Sequence, residues 1–267
     1  MFERLMQVFK TAKPVIGLVH GKPLPGSPLY KQNDSEILDS LEYDLIALQE
    51  GGIDAVMFAN ENDRPYQNSV NPVTVASISY FVGKLKQEIE VPFGIDIAFD
   101  PIATLAVAKA TGASFVREIF TGAYAGDLGI WNTNCSEYLR YRRSIDADYL
   151  ICVYNIMAEF VSSLDNRPID RIAKSIVFSS LPDAIAISGN ITGESVDLDL
   201  LKKVKKTVTN VPVFVNTGVN IKNIEKMYAE SDGIFIGTGL KIDNKTFQKV
   251  DKKKVKDIMD IVKTIRK

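Results

Sequence analysis

The chain has only two cysteines, Cys135 and Cys152, far apart and in no metal-ligand spacing, so neither a disulfide framework nor a zinc site is expected. It holds one histidine, His20, and one tryptophan, Trp131. No run of about twenty apolar residues exists, which argues against a membrane-spanning helix. The N-terminal "MFERLMQVFKTAKP" reads as a short amphipathic helix, charged within its first four residues. It lacks the apolar region and small-residue cleavage site of a secretory signal, and a cytoplasmic location is expected. A net charge of −1 gives no bulk attraction to nucleic acid or an anionic membrane. No G-x-x-x-x-G-K-[ST], G-x-S-x-G or H-x-x-x-H pattern occurs, which sets aside a P-loop, a hydrolase elbow and a zincin. The lysine-rich tail "KVDKKKVKDIMDIVKTIRK" has Val255, Ile258, Met259, Val262 and Ile265 at helical spacing, so its lysines form a solvated helix face.

What the chain does have is alternation. With 46% apolar and 24% charged residues it is an ordinary globular sequence able to build a core without staples. Short β-rich runs at 15–20, 53–59, 93–99, 114–120, 148–156, 183–188, 211–216 and 233–237 alternate with helical patterns. The helices are expected from 34 or 35 to 50, and over 72–90, 101–111, 134–146, 165–180, 197–209, 220–230 and 251–266. Apolar runs without strict alternation suit strands covered on both faces, as in a parallel sheet. Eight such units in one domain, residues 1–267, predict a (β/α)8 TIM barrel preceded by a short helix. The alternative, an open doubly wound sheet, would carry G-x-G-x-x-G after the first strand, where "VHGKPLPGS" stands instead.

A barrel carries its chemistry at the C-terminal ends of its strands. His20 ends the first strand and suits proton transfer. The second runs into a polar loop with Asn60, Glu61, Asp63 and Arg64. The third offers Asp96 and Asp100, which could divide acid and base roles or hold a divalent cation; Asp100 before Pro101 also reads as a helix N-cap. On the fourth, Arg117 and Glu118 occupy opposite faces, so only one points into the barrel mouth and the other is expected to pair with a covering helix. Asn155 and Glu159 follow the fifth. No lysine stands clearly at a strand end for a Schiff base. The last three mouths, "SGNITG" (188–193), "NTGV" (216–219) and "GTG" (237–239), are rich in Gly, Ser and Thr. Together they predict a phosphate site built from Ser188, Gly189, Asn216, Thr217, Gly218, Gly237, Thr238 and Gly239. Backbone amides and Thr hydroxyls would be its donors, and Asn220 would cap the following helix.

The opening "KPVIGLVHGKPLPGSPLY" resembles the signature of the BtpA family, which includes the SgcQ proteins. The likeness continues through "GGIDAVMFANENDRPY", "PFGIDIAFDP", "TGASFVREIFTGAYAGDLGIWNTN", "NIMAEF", "VPVFVNTGV" and "DGIFIGTGLK". The wording is closer to the SgcQ-like branch. The photosystem I branch carries Glu-Asn, Asn-Asp and Lys-His pairs where this chain reads Ala59-Asn60, Asp100-Pro101 and Glu159-Phe160. The resemblance implies a barrel related to phosphate-binding enzymes and a link to carbohydrate metabolism, without naming a reaction.

Two functions follow as expectations. In the first, an isomerase, epimerase or aldolase-type enzyme acts on a phosphosugar. Its catalytic residues would be His20 with Asp96 or Glu118, with Arg117, Asn155 and Glu159 beside them. A divalent metal is compatible, and no other cofactor is implied. In the second, a non-catalytic assembly factor binds a partner through the loops 21–33 and "GAYAGDLGIWNTN", using Tyr124 and Trp131. Homo-oligomers are common among such barrels and are expected to be compatible with either.

Overall fold

A computed structural model describes residues 1–189 and 191–266. Asn190, in the sixth strand mouth, and Lys267, ending the basic tail, lie outside the described residues. In chain order the elements are α1 (Phe2–Phe9), β1 (Val15–His20), α2 (Asp34–Glu50), β2 (Ala55–Ala59), α3 (Pro72–Lys84), β3 (Phe93–Asp96) and α4 (Pro101–Thr111). Then come β4 (Phe115–Glu118), β5 (Ala123–Gly126), β6 (Gly129–Asn132), α5 (Cys135–Ser144), β7 (Ile151–Asn155), β8 (Val161–Ser163) and α6 (Ile169–Ser179). The chain ends with β9 (Ala184–Ile187), α7 (Leu198–Thr207), β10 (Val213–Val215), α8 (Ile224–Glu230), β11 (Gly233–Ile236) and α9 (Lys252–Ile265).

Strands β1, β2, β3, β4, β7, β9, β10 and β11 close into a parallel barrel, β11 pairing back onto β1. The chain is therefore the (β/α)8 barrel that the alternation predicts. Its strands are buried on both faces because two apolar layers meet there. Ile16, Leu18, Phe115, Val153, Phe214 and Phe235 fill the barrel axis. Val15, Val19, Val56, Ile95, Val116 and Val215 pack outward against the helices. α1 closes the N-terminal end: Leu5 and Phe9 insert into the axial layer, and Arg4 pairs with Asp183. Truncating an axial phenylalanine to alanine would cost about 3–5 kcal/mol.

Several boundaries differ from the sequence reading for local reasons. The third strand stops at Asp96 because Ile97 to Asp100 form a turn, with Asp100 N–H donating to the Ile97 carbonyl and Phe99 at a φ of 68°. Asp100 then caps α4, its carboxylate accepting from Ala103 N–H at 2.9 Å. The expected 72–90 helix ends at Lys84, followed by a single 3-10 turn at Lys86–Glu88. Asn220 does not cap α8. It opens a turn, and the helix starts only at Ile224, behind Asn223.

The largest departure is in the loop after the fourth barrel strand. "AYAG" and "GIWN" form the hairpin β5–β6, which β8 extends into a three-stranded antiparallel sheet over the barrel mouth. Tyr124 and Trp131 stack across it with ring centroids 4.6 Å apart, and both are buried. They hold the sheet onto the mouth with Phe99, Ile119 and Ala158, and so offer no side chain to a partner.

Candidate active site

Strands show alternate residues to the barrel axis. Since Ile16, Leu18, Phe115, Val153, Ala186, Phe214 and Phe235 face it, the next inward position on each strand can be read directly. These positions hold His20, Ala59, Asp96, Arg117, Asn155, Ser188, Asn216 and Gly237, a polar layer on top of the apolar axis.

Most of that layer is one hydrogen-bonded chain. The Arg117 guanidinium pairs with Asp96 and also donates to the Asn216 side-chain oxygen across the mouth. Asn216 Nδ2 donates to Ser188 Oγ at 2.8 Å, and Ser188 Oγ donates to Asn155 Oδ1 at 3.1 Å. Burial opposes the charge on Arg117, but Asp96 and Glu159 outweigh it and hold the guanidinium protonated. Burial pushes the Asp96 carboxyl upward against the pull of Arg117.

Glu118 faces away from the axis, as the alternation requires, yet no helix supplies it with a cation. Its carboxylate accepts from the Ile119 amide, while the other oxygen is buried without a partner. Burial and then Asp96 raise it well above the usual carboxylate range.

Two further carboxylates lean in from loops. Thr192 Oγ1 lies 2.7 Å from Glu159 Oε2 and 3.2 Å from Glu61 Oε1, within reach of both. Burial, then the neighbouring Glu159, raise Glu61 to about 7; burial also raises Glu159, opposed by Thr192. Glu61 is therefore divided between its two protonation states near neutrality, where general acid–base catalysis works best.

The other polar residues of its loop are structural. Asn60 accepts from Ala98 N–H at 2.8 Å, Asp63 accepts from Leu24 N–H at 2.7 Å, and the Arg64 guanidinium sits over the Phe247 ring.

His20 is buried and, among the described residues, neither ring nitrogen is hydrogen-bonded; the Thr246 backbone adjoins it without a bond of good geometry. Burial and then Lys241 lower it well below 6.5, which keeps the imidazole neutral. A neutral imidazole whose nitrogens are uncommitted can donate to, or accept from, a bound molecule.

The glycine loops meet beside it. Gly218 has φ +69°, and a Cβ there would lie 2.3 Å from the carbonyl of Glu194; one at Gly239 would lie 2.1 Å from the Val219 oxygen. Only glycine permits this approach. The threonine hydroxyls are used to tie the loops together. Thr217 Oγ1 donates to the Glu194 carbonyl at 2.9 Å and accepts from Gly189 N–H at 2.6 Å; Thr238 Oγ1 pairs with Thr246 Oγ1 at 2.9 Å. The Thr217 hydroxyl thus gives its hydrogen to the Glu194 carbonyl and the Gly189 amide is used by Thr217, so neither is free to donate outward. Among the described residues, the amides of Gly218, Val219, Thr238 and Gly239 have no protein acceptor. Val219 is itself buried.

Two adjoining chambers result. One, of about 40 Å³, joins His20 and the 217–219 and 237–239 loops; the other, of about 50 Å³, joins Asp96, Glu118 and Asn155. Glu61, Arg117, Glu159 and Thr192 line both. Sequence reasoning placed the ring residues, which follow from strand position. It left Glu61 among undistinguished loop residues and missed Thr192 as the group between the two glutamates. Among the described residues, no three His, Cys, Asp or Glu side chains come together as a metal site. Among the described residues, no helix is long and apolar enough to cross a membrane.

A model of the BtpA family matches residues 11–264. The putative sgc region protein SgcQ of Escherichia coli is 42% identical over 265 residues, covering 98% of this chain and 99% of that protein. The photosystem I biogenesis protein BtpA of Synechocystis is 30% identical over 240 residues, covering 89% and 83%. Among solved structures, (S)-3-O-geranylgeranylglyceryl phosphate synthase from Thermoplasma acidophilum, in complex with its substrate sn-glycerol-1-phosphate, matches with a TM-score of 0.59 at 13% identity. It covers 99% of this chain and 98% of its own, a likeness of fold.

Proposed function

The chain belongs to the BtpA family, and we propose that it is an enzyme that moves a proton on a small phosphorylated metabolite, in the first instance a phosphosugar. One observation carries this reading: a single cavity holds the open amides of Gly218, Val219, Thr238 and Gly239 together with His20, Glu61, Glu159 and Arg117. The amides bind the phosphate dianion. That anchors the sugar carbons against the carboxylates. Glu61 in its ionised form takes a proton from the carbon next to a carbonyl. Neutral His20 and Arg117 stabilise the enediolate oxygens, and the proton returns to the neighbouring carbon or to the opposite face. Glu159, linked through Thr192, shares the proton load. Isomerisation and epimerisation differ only in where the proton returns, and a retro-aldol cleavage would use the same oxyanion stabilisation.

The Synechocystis relative is named for photosystem I biogenesis. The burial of Tyr124 and Trp131 removes the aromatic surface that an assembly role would have used here. A thermal-shift panel of phosphosugars tests the enzyme reading. A ligand at about 100 times its dissociation constant adds about 2.7 kcal/mol, and for a chain of this size a rise of roughly 5–10 °C. A panel in which no phosphosugar raises the melting temperature would sink the reading.

A further inference from the structure

Beyond the two chambers lies a third and larger recess of about 390 Å³, open to solvent, that shares Glu61 and Thr192 with them. Its chemistry is different. Tyr66, Phe160, Leu128, Ile191 and Phe247 make its walls largely apolar. The walls are held in place. Tyr66 packs against Phe99 and Phe160 at 5.4 and 6.0 Å between ring centroids, and its hydroxyl donates to the Glu61 carbonyl at 3.0 Å. Phe247 lies on the loop that Asp44 pins from behind, by pairing with buried Lys241 and accepting from Val250 N–H at 2.7 Å. Even so, Phe247 remains 44% exposed and Ile191 53% exposed at the edge of a polar cavity.

A phosphate group seated in the glycine cradle would leave this aromatic wall uncovered. Apolar surface of that kind, rimming a few convergent polar groups, marks a ligand site. Aromatic faces and a planar guanidinium, Arg64 standing 4.0 Å over Phe247, favour a flat, polarisable group. Resting on the phosphate reading above, we infer that the substrate is a phosphorylated sugar bearing an aromatic or heteroaromatic ring, with the phosphate in the glycine cradle and the ring against Tyr66, Phe160 and Phe247. The substrate class narrows from phosphosugars in general to phosphorylated glycosides or nucleotide-like compounds.

Matched pairs of probes test this by calorimetry: glucose 6-phosphate against phenyl glucoside 6-phosphate, and ribose 5-phosphate against adenosine 5′-monophosphate. At least one ring-bearing member is expected to bind tenfold or more tightly than its parent. Phe247→Ala and Ile191→Ala should abolish that gain while leaving parent affinity unchanged. Both side chains are largely exposed, so each variant should melt within about 2 °C of the native protein. Equal affinity within both pairs, or a gain that survives both variants, overturns the inference. The phosphate reading fails separately: ring-bearing probes would then bind equally well in Gly218→Asp, or with their phosphate removed.

Discussion

Gly218 can be replaced by alanine with a built-in control elsewhere in the chain. Its φ of +69° makes any side chain unfavourable by about 1 kcal/mol. A Cβ there would also sit 2.3 Å from the carbonyl carbon and oxygen of Glu194 and from the Ser195 Cα. Those are main-chain atoms, so no rotamer change relieves the overlap. Forcing that segment aside adds about 1–3 kcal/mol. Gly129 has nearly the same backbone strain, φ +81°, with nothing within 4 Å of its Cβ position. Gly129→Ala should therefore lower the melting temperature by about 2–4 °C and Gly218→Ala by roughly 5–12 °C. Because the shift displaces the Gly218 and Val219 amides, Gly218→Ala should also lose at least tenfold in affinity for inorganic phosphate, while Gly129→Ala keeps it. Differential scanning fluorimetry with and without phosphate measures both effects. Equal melting temperatures for the two variants, or undiminished phosphate affinity in Gly218→Ala, would refute the contact argument.

Burial and Glu159 hold Glu61 near 7, so its proton stabilises the fold in acid and that contribution is lost as the pH rises from about 4.5 through 7. Glu61→Gln should therefore gain about 2 kcal/mol over the native protein at pH 8.5, after allowing for its partial exposure, and nothing at pH 4; urea melts at the two pH values check this. The native kcat/KM should rise along a limb near pH 7 as Glu61 ionises, and Glu61→Gln should lose turnover at every pH. Arg117→Met strands Asp96 beneath the mouth and should cost about 3–5 kcal/mol, part of it recovered by adding Asp96→Asn, which chemical denaturation would show. Proton NMR of the single histidine should show no titration step at 6.5. The Asp44→Asn, Lys241→Met double variant, which removes a buried pair without stranding a charge, should raise the His20 pKa.

The barrel was legible because strands buried on both faces leave long apolar runs, and because helices between them carry their own periodicity. Position two beyond the last axial apolar residue then located His20, Asp96, Arg117, Asn155, Ser188 and Asn216 with no further information. The hairpin was not legible, since "AYAG" and "GIWN" are short, glycine-bounded and without the β-branched enrichment that marks a strand. Glu61 was hidden among four polar loop residues, three of which serve the scaffold; only the fold shows that this one turns inward. The opposite error occurred at Thr217. Its type and place suggested a ligand donor, but its hydroxyl donates to the Glu194 carbonyl and ties two loops together. Lys241 carries no sequence signal of its own, although it is fully buried against Asp44 and depresses the pKa of His20 from behind.

Titrating inorganic phosphate into isotopically labelled protein and following backbone amides by NMR tests the account most directly. The account predicts saturable shifts centred on Gly218, Val219, Thr238 and Gly239, with His20 responding as the adjoining ring. Saturable binding whose shifts fall elsewhere, or no shift at those four amides at millimolar phosphate, would contradict it.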